Sequence, residues 1–385
     1  MSLVFDPEVR AADFQGRRVT IVGLGSGRTA AGIAQFLVAN GAQVTVSDAQ
    51  PREQLATGIA RLEGLPVELV LGPSSDDAAL ADPDYVFLIP GIRPRSATVL
   101  RAIQREIPVL TEIGLFFRLC PAEIVGITGT KGKSTTTTLA GRILGRGTRR
   151  VVVGGNIGLP VIQLLPTLTR DDLVVLELSS FQLETLGRSP HVAVVTNVLE
   201  DHLDHHGTRE AYIAAKSNLV RWQGPRDLAV LNLDDPATVA LHTGAESEVR
   251  GYSLSLRPKR GAYLDGAGQL VLAGPDGPVP LCRADELRVP GRHNVSNALA
   301  AAVVGGIGGI APEAIAEELR AFEGLPHRLE FVAERGGVWW VNDSQGTTPY
   351  ATIPALGAHG RPPVVILGGV GKGADFSELG RAVVE

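Results

Sequence analysis

The segment TGTKGKST at 128–135 carries the residue types needed to hold a polyphosphate. Gly129 and Gly132 let the backbone come close to phosphate oxygens. Successive N–H groups at a helix start wrap an anion, and the helix dipole favours its charge. Lys133 would reach the β- and γ-phosphates, and the Ser134 hydroxyl would bind Mg²⁺. Thr130, Lys131 and Thr135 complete the stretch. The pattern departs from GxxxxGK[ST] at its first position, where Ile127 replaces glycine. A glycine-rich turn with an exposed lysine is the plainer alternative. The apolar run before the segment and the helical stretch after it favour the phosphate loop.

Other residues could do chemistry nearby. Glu177 ends the run DLVVLE, and a carboxylate at a strand's C-terminus beside a phosphate loop is well placed for Mg²⁺. The group Asp201, His202, Asp204, His205 and His206 suggests zinc by spacing alone. A polar loop after a strand is the plainer reading, and it is preferred for His205 and His206. Lys216 in AAKSNL reads as a surface helical lysine, because an ammonium has no lone pair for a metal. Asn294 and Asn297 lie at an expected helix start, where capping is their ordinary role. GLGSG at 23–27, with Asp48 beyond it, is a weak dinucleotide signal that lacks the usual third glycine.

The elements that must position these residues read as α/β. Residues 18–23 form an apolar β-rich run, 29–39 a helix and 43–47 a second strand, the opening of a doubly wound sheet. Further strands are expected at 85–89 and 108–110. A second unit opens with a strand at 123–127 and continues at 151–153, 173–178, 192–196 and 229–232. Glycine-rich apolar pieces at 252–281 predict antiparallel hairpins, followed by a helix around 297–305. A third unit begins near Gly324, with strands at 338–341 and 364–367, a helix between them, and a last helix at the chain end. The division is 1–119, 120–323 and 324–385. The third part has too few strands for a doubly wound domain of ~100–150 residues and is expected to be cut short.

Composition narrows the class. A formal net charge of −5 argues against a nucleic-acid partner, though not against small phosphorylated ligands. The only cysteines, Cys120 and Cys282, form no CxxC pair, which excludes a thiolate metal motif and fits a reducing cytosol. No stretch reaches the ~20 apolar residues of a membrane span, and the first residues do not read as a signal peptide. A cytoplasmic protein is expected, with no membrane partner.

The motifs resemble those of the Mur ligases and the related folylpolyglutamate synthases. TGTKGKS is followed in order by GGNIGLP (154–160), LELSSFQLE (176–184), NVLEDHLDHH (197–206), AAKSNL (214–219), GRHNVSNALAA (291–301), GLPHRLE (324–330), NDS (342–344) and GGVGKGADF (368–376). The resemblance runs over nearly the whole chain. It implies a Rossmann-like N-terminal domain, a central P-loop ATPase-like domain and a Rossmann-like C-terminal domain. It also implies an ATP-dependent ligase of bacterial cell-wall precursor synthesis, acting as a monomer. SSFQLE and this version of GGNIGLP favour the branch that adds D-glutamate to UDP-N-acetylmuramoyl-L-alanine through an acyl phosphate.

The resemblance also implies residue roles. Lys133, Glu177, His202 and Lys216 are catalytic; two Mg²⁺ ions are held by Ser134, Glu177, His202 and Lys216, the lysine as a carbamate. Gly129 to Thr135, Asn294, Asn297, Arg328 and Asp343 bind ATP, with Asn297 reading adenine. Gly25, Ser26, Asp48, Pro90, Gly91, Asn156 and Ser179 meet the UDP-muramoyl substrate, and Thr347 and Lys372 meet D-glutamate. Two features depart from the family pattern: the first glycine loop is two residues longer, and Gln345 stands where NDSKAT has lysine, so an ion pair to substrate becomes at most a hydrogen bond. A sister ligase with another amino acid, or a nucleotide-binding relative without ligase activity, are the alternatives. A nicotinamide dehydrogenase leaves TGTKGKST unexplained.

Overall fold

The computed structural model describes residues 5, 7–75, 79–358, 360, 362–369 and 375–384. The chain forms two compact units. One comprises 1–130, 149–229 and 237–248; the other comprises 131–148, 230–236 and 249–385.

The first unit holds two sets of parallel strands. In the first set, β1 (Arg18–Val22), β2 (Gln43–Asp48), β3 (Val67–Leu71), β4 (Tyr85–Leu88) and β5 (Val109–Thr111) lie in the order β3-β2-β1-β4-β5. Val19 stands beside Val44 on one side and Tyr85 on the other. The order reverses between β1 and β4, and in such sheets ligands bind at the strands' carboxyl ends there. The strands are near-continuous apolar runs because helices cover both faces of a parallel sheet. Ile21, Val46 and Phe87 are buried with Ile33 and Leu37 of the helix Arg28–Ala39. Phe14 packs edge-on against Phe36 and Tyr85. That helix starts at Gly27, whose φ is 80°. A Cβ on Gly27 would come 2.6 Å from the Gly58 backbone, so only glycine fits the turn.

The second set is β6 (Glu123–Thr128), β7 (Val151–Gly155), β8 (Leu173–Glu177) and β9 (Val192–Val195), parallel, in the order β9-β6-β8-β7. The register puts Ile127 beside Glu177 and Thr128 beside Val195. The end of β6 is therefore flanked by the ends of both neighbours. β10 (Leu228–Asn232) then carries the chain from the first unit into the second.

In the second unit, the helix Lys133–Leu144 packs on the helix Arg292–Ile307. They approach closely at Gly305, where a Cβ would come 2.5 Å from the Ile143 side chain. β11 (Glu248–Ser253), β12 (Gly261–Leu264), β13 (Gln269–Gly274) and β14 (Gly277–Arg283) fill the region expected to be hairpins. β12, β13 and β14 are antiparallel, but β11 pairs with β12 in parallel, with Gly251 opposite Gly261. Beyond Gly324, β15 (Glu330–Arg335) and β16 (Val338–Asn342) form an antiparallel pair, followed by the helices Pro349–Leu356 and Ser377–Val384. The strand expected at 364–367 does not form: no strand pairs with it among the described residues, and Val364 is 99% exposed. An apolar run needs a neighbour's N–H and C=O groups to become a strand. No helix among the described residues is long and apolar enough to cross a membrane.

Candidate active site

The loop after β6 is tied down at its base. Thr128 Oγ donates to the Leu178 carbonyl at 2.7 Å. The Thr130 N–H donates to the Asn197 carbonyl at 2.9 Å. The Thr130 hydroxyl meets the Tyr212 hydroxyl at 2.9 Å and accepts the Leu199 N–H at 2.9 Å. Burial pushes the Tyr212 pKa up, so the phenol keeps its proton and its hydrogen bond. Gly129 has no room for a side chain: a Cβ would lie 1.8 Å from Thr196 Oγ. Gly132 caps the helix Lys133–Leu144 with φ 83°. Lys131, Gly132 and Lys133 are half-buried at this turn, Ser134 is buried, and Thr135 follows half-buried on the helix's first turn.

Lys216 and Glu177 bring an ammonium and a carboxylate into burial at this loop's base. Lys216 is 1% exposed, which corrects its reading as a surface lysine. Its ammonium donates to the Gly129 carbonyl at 2.9 Å and to Thr128 Oγ at 3.4 Å, and it sits 4.8 Å over the Tyr212 ring. Glu177 is 2% exposed at the end of β8. One carboxylate oxygen accepts from the Asn156 amide at 2.8 Å; the other is buried with no hydrogen-bond partner. A buried carboxylate oxygen left bare is costly unless a cation meets it, so this donor set fits Mg²⁺. Asn156, expected at the muramoyl substrate, here orients Glu177. Its N–H also donates to the Glu177 carbonyl at 2.8 Å. Ser179 caps the short helix Ser180–Leu183 in a reciprocal pair with Gln182. His202 has φ 54° and its ring lies 4.8 Å from the Phe181 ring in a tilted contact, the imidazole about half exposed.

In the second unit, Asn294 and Asn297 sit inside the helix, whose cap is Gly291, so neither caps it. The Asn294 amide donates to the Pro290 carbonyl at 2.7 Å, and the Asn297 amide donates to Asn294 at 3.3 Å. Asn297 packs against Gly132, where a Cβ would come within 2.3 Å of its oxygen. Arg328 donates to Ser134 Oγ at 3.2 Å, which brings this residue, distant in sequence, to the phosphate loop. Asp343 accepts the Leu329 N–H at 3.1 Å and shapes the turn beyond Arg328. Thr347 and Gln345 are exposed on the following loop. Lys372 lies outside the described residues.

Gly25, Ser26, Asp48, Pro90 and Gly91 gather at the carboxyl ends of β1, β2 and β4. Asp48 accepts the N–H groups of Leu24 at 2.8 Å and Gly25 at 3.2 Å, so it braces the glycine loop. Sequence reasoning missed Arg28, although it follows GLGSG directly. Its guanidinium donates to the carbonyls of Asn156 and Gly158 at 3.3 and 3.2 Å and thereby ties that loop to GGNIGLP. It also missed Glu112, which is buried and accepts the Ile162 N–H at 3.3 Å. Burial raises its carboxyl pKa to about 7.

The comparisons with known proteins agree with this geometry. The family model for the Mur ligase middle domain matches residues 127–305, and that for the MurD-like N-terminal domain of Mur ligases matches 17–111. The chain is 41% identical to UDP-N-acetylmuramoylalanine--D-glutamate ligase of Pelotomaculum thermopropionicum, over 97% of this chain and 81% of that one. It is 40% identical to the enzyme of the same name from Symbiobacterium thermophilum, over 96% and 80%. Among solved structures, UDP-N-acetylmuramate-alanine ligase of Thermotoga maritima shares the fold with a TM-score of 0.56 at 22% identity, over 89% of this chain and 77% of that one. The chain belongs to the Mur ligase family, in its MurD-like branch.

Proposed function

We propose that this chain is an ATP-dependent ligase that joins D-glutamate to UDP-N-acetylmuramoyl-L-alanine. One observation carries the reading: a phosphate-type loop has a bare buried carboxylate oxygen on Glu177 and a buried lysine, Lys216, at its base. The names borne by the relatives support the choice of substrates.

The loop 128–135 would cradle the ATP phosphates, with Lys133 and Arg328 adding positive charge where it develops in transfer. Magnesium, held by Ser134, Glu177, His202 and a carbamate on Lys216, would neutralise phosphate charge. The L-alanyl carboxylate oxygen attacks the γ-phosphorus, and the bond to ADP breaks. The resulting acyl phosphate is electrophilic where a free carboxylate is not. The D-glutamate nitrogen attacks its carbonyl carbon and loses a proton. The tetrahedral intermediate then expels phosphate and leaves an amide. Asn156 would keep Glu177 aimed at the metal, and Asp48 would hold the glycine loop toward the uridine diphosphate. Thr347 and Lys372 would receive the D-glutamate carboxylates.

The test is phosphate release from ATP and UDP-N-acetylmuramoyl-L-alanine, with and without D-glutamate. Release that requires D-glutamate and is not matched by L-glutamate supports the reading. Release with a different amino acid would assign a sister activity. ATP binding without release under any condition would assign the chain to nucleotide binding alone, the reading that Gln345 favours.

A further inference from the structure

Three side chains near the ligase residues remain without a role. His205 and His206 are not on an open polar loop. They lie in a helical turn, Leu203–His206, with side chains 7% and 0% exposed. Glu184 faces them from the end of SSFQLE, with a carboxylate oxygen 2.9 Å from His205 Nε2 and 3.9 Å from His206 Nδ1. These three atoms all lie within 4.8 Å of one another. An ion bonded to all three at about 2.0–2.2 Å would draw these atoms closer together.

We propose that Glu184, His205 and His206 form a binding site for a zinc-class divalent cation, separate from the residues given to magnesium. The second observation is the state of His206. Its Nε2 meets Ser180 Oγ at 3.0 Å, while its Nδ1 is fully buried with no hydrogen-bond partner. With Nε2–H donating to Ser180, Nδ1 presents a lone pair to the space shared with Glu184. A metal-bound histidine is ordinarily held this way, its far nitrogen donating to a fixed acceptor.

The rest of the surroundings hold the ligands in place. The Asn218 amide donates to the carbonyls of Leu183 and Glu184 at 2.9 and 3.5 Å and fixes the backbone that carries the carboxylate. The Phe181 ring packs edge-on to His205 at 4.5 Å and stacks on His206 at 5.7 Å. Two imidazole nitrogens and one carboxylate oxygen suit Zn²⁺, whereas Mg²⁺ prefers an octahedron of oxygens. Glu184 is the one partly exposed member, so a water completes the tetrahedron from its side.

The experiment is calorimetric titration of the full chain with Zn²⁺, without nucleotide, repeated with Co²⁺ while following its visible absorption. One equivalent binds, and cobalt gives the intense bands of a tetrahedral site. Glu184→Gln and His205→Ala each abolish binding, and Ser180→Ala weakens it by about 10–100-fold through His206. His202→Ala, one helical turn away, retains it. Near-ultraviolet circular dichroism establishes that each variant is folded; a variant that is not is replaced by His205→Asn. Absence of zinc binding to the unaltered chain overturns the proposal. So does binding that survives Glu184→Gln and the His205 variant, or that depends on His202.

Discussion

Replacing Gly129 by alanine tests the loop from its steric detail. A Cβ there would sit 1.8 Å from Thr196 Oγ and 3.1 Å from the Asn197 nitrogen. Reaching even 3.0 Å from the hydroxyl requires the loop or β9's end to move by about 1.2 Å. Neither side yields freely, because the Thr130 N–H donates to the Asn197 carbonyl and the Thr196 N–H to the Thr128 carbonyl, both at 2.9 Å. A displacement near 1 Å at a positioning element costs on the order of 10²-fold in rate. Overpacking should also remove about 1–3 kcal/mol of stability. The assay is steady-state phosphate release, with kcat and KM for ATP measured separately, beside a thermal melt. Thr196→Ala removes the hydroxyl, so the double variant should regain about tenfold of the lost kcat/KM while keeping some deficit from the 3.1 Å contacts. Gly129→Ala with unaltered kcat/KM, or a double variant no better than the single one, would refute the placement of this loop as the phosphate cradle.

Other perturbations separate activity from folding. Glu177→Gln keeps an acceptor for the Asn156 amide but removes the charge from the bare oxygen. Turnover should fall by at least about 10²-fold, while the melting temperature holds or rises; a lower melting temperature with full activity contradicts the assignment. A carbamate on Lys216 predicts that CO₂-free buffer slows turnover and bicarbonate restores it. Carbon NMR with labelled bicarbonate should then show a carbamate signal that Lys216→Ala lacks, and turnover indifferent to CO₂ removes that role. Glu112 has its folded pKa raised from 4.5 to about 7, so its stabilising share is complete below the lower value and is lost as pH rises through the higher one. Between about pH 5 and pH 8 the unaltered chain should lose up to roughly 3 kcal/mol relative to Glu112→Gln, seen as diverging unfolding midpoints. Parallel pH curves would show that this carboxyl titrates normally.

Much of the fold was legible because parallel strands buried on both faces are written as short apolar runs. Residues 18–23, 43–47, 123–127 and 192–196 were read within a residue or two of β1, β2, β6 and β9. The missed strands have a different character. β3 (VELVL) is only partly buried along its length, and β15 (EFVAER) is mostly exposed and charged at both ends, so neither shows a continuous apolar run. Residues 364–367 show the converse failure: an apolar run is necessary for a buried strand but does not supply the partner that makes one.

The site divides along the same physical line. The loop 128–135 and Glu177 were readable because their chemistry depends on local order: strand, glycine, helix, and a carboxylate at a strand end. The register Ile127 beside Glu177 then follows from the topology. Lys216 was not readable from its surroundings in sequence, since a lysine in AAKSNL looks solvated. Its environment is made by residues 87 and 88 positions away, the Gly129 carbonyl and Thr128 Oγ, and by Tyr212 one helical turn before it. Burying an ammonium is costly unless its donors are satisfied. A chain that puts one at the base of a phosphate loop, where glycine and threonine oxygens meet it, holds a charge that stability alone does not require. The same reasoning applies to the bare oxygen of Glu177 and the bare nitrogen of His206. In each case the sequence shows a polar residue of ordinary type, and only the fold shows that water has been taken from it. The ligands proposed for Glu177 and His206 answer these unmet bonds, and they differ because a carboxylate oxygen suits a hard cation and an imidazole nitrogen a softer one.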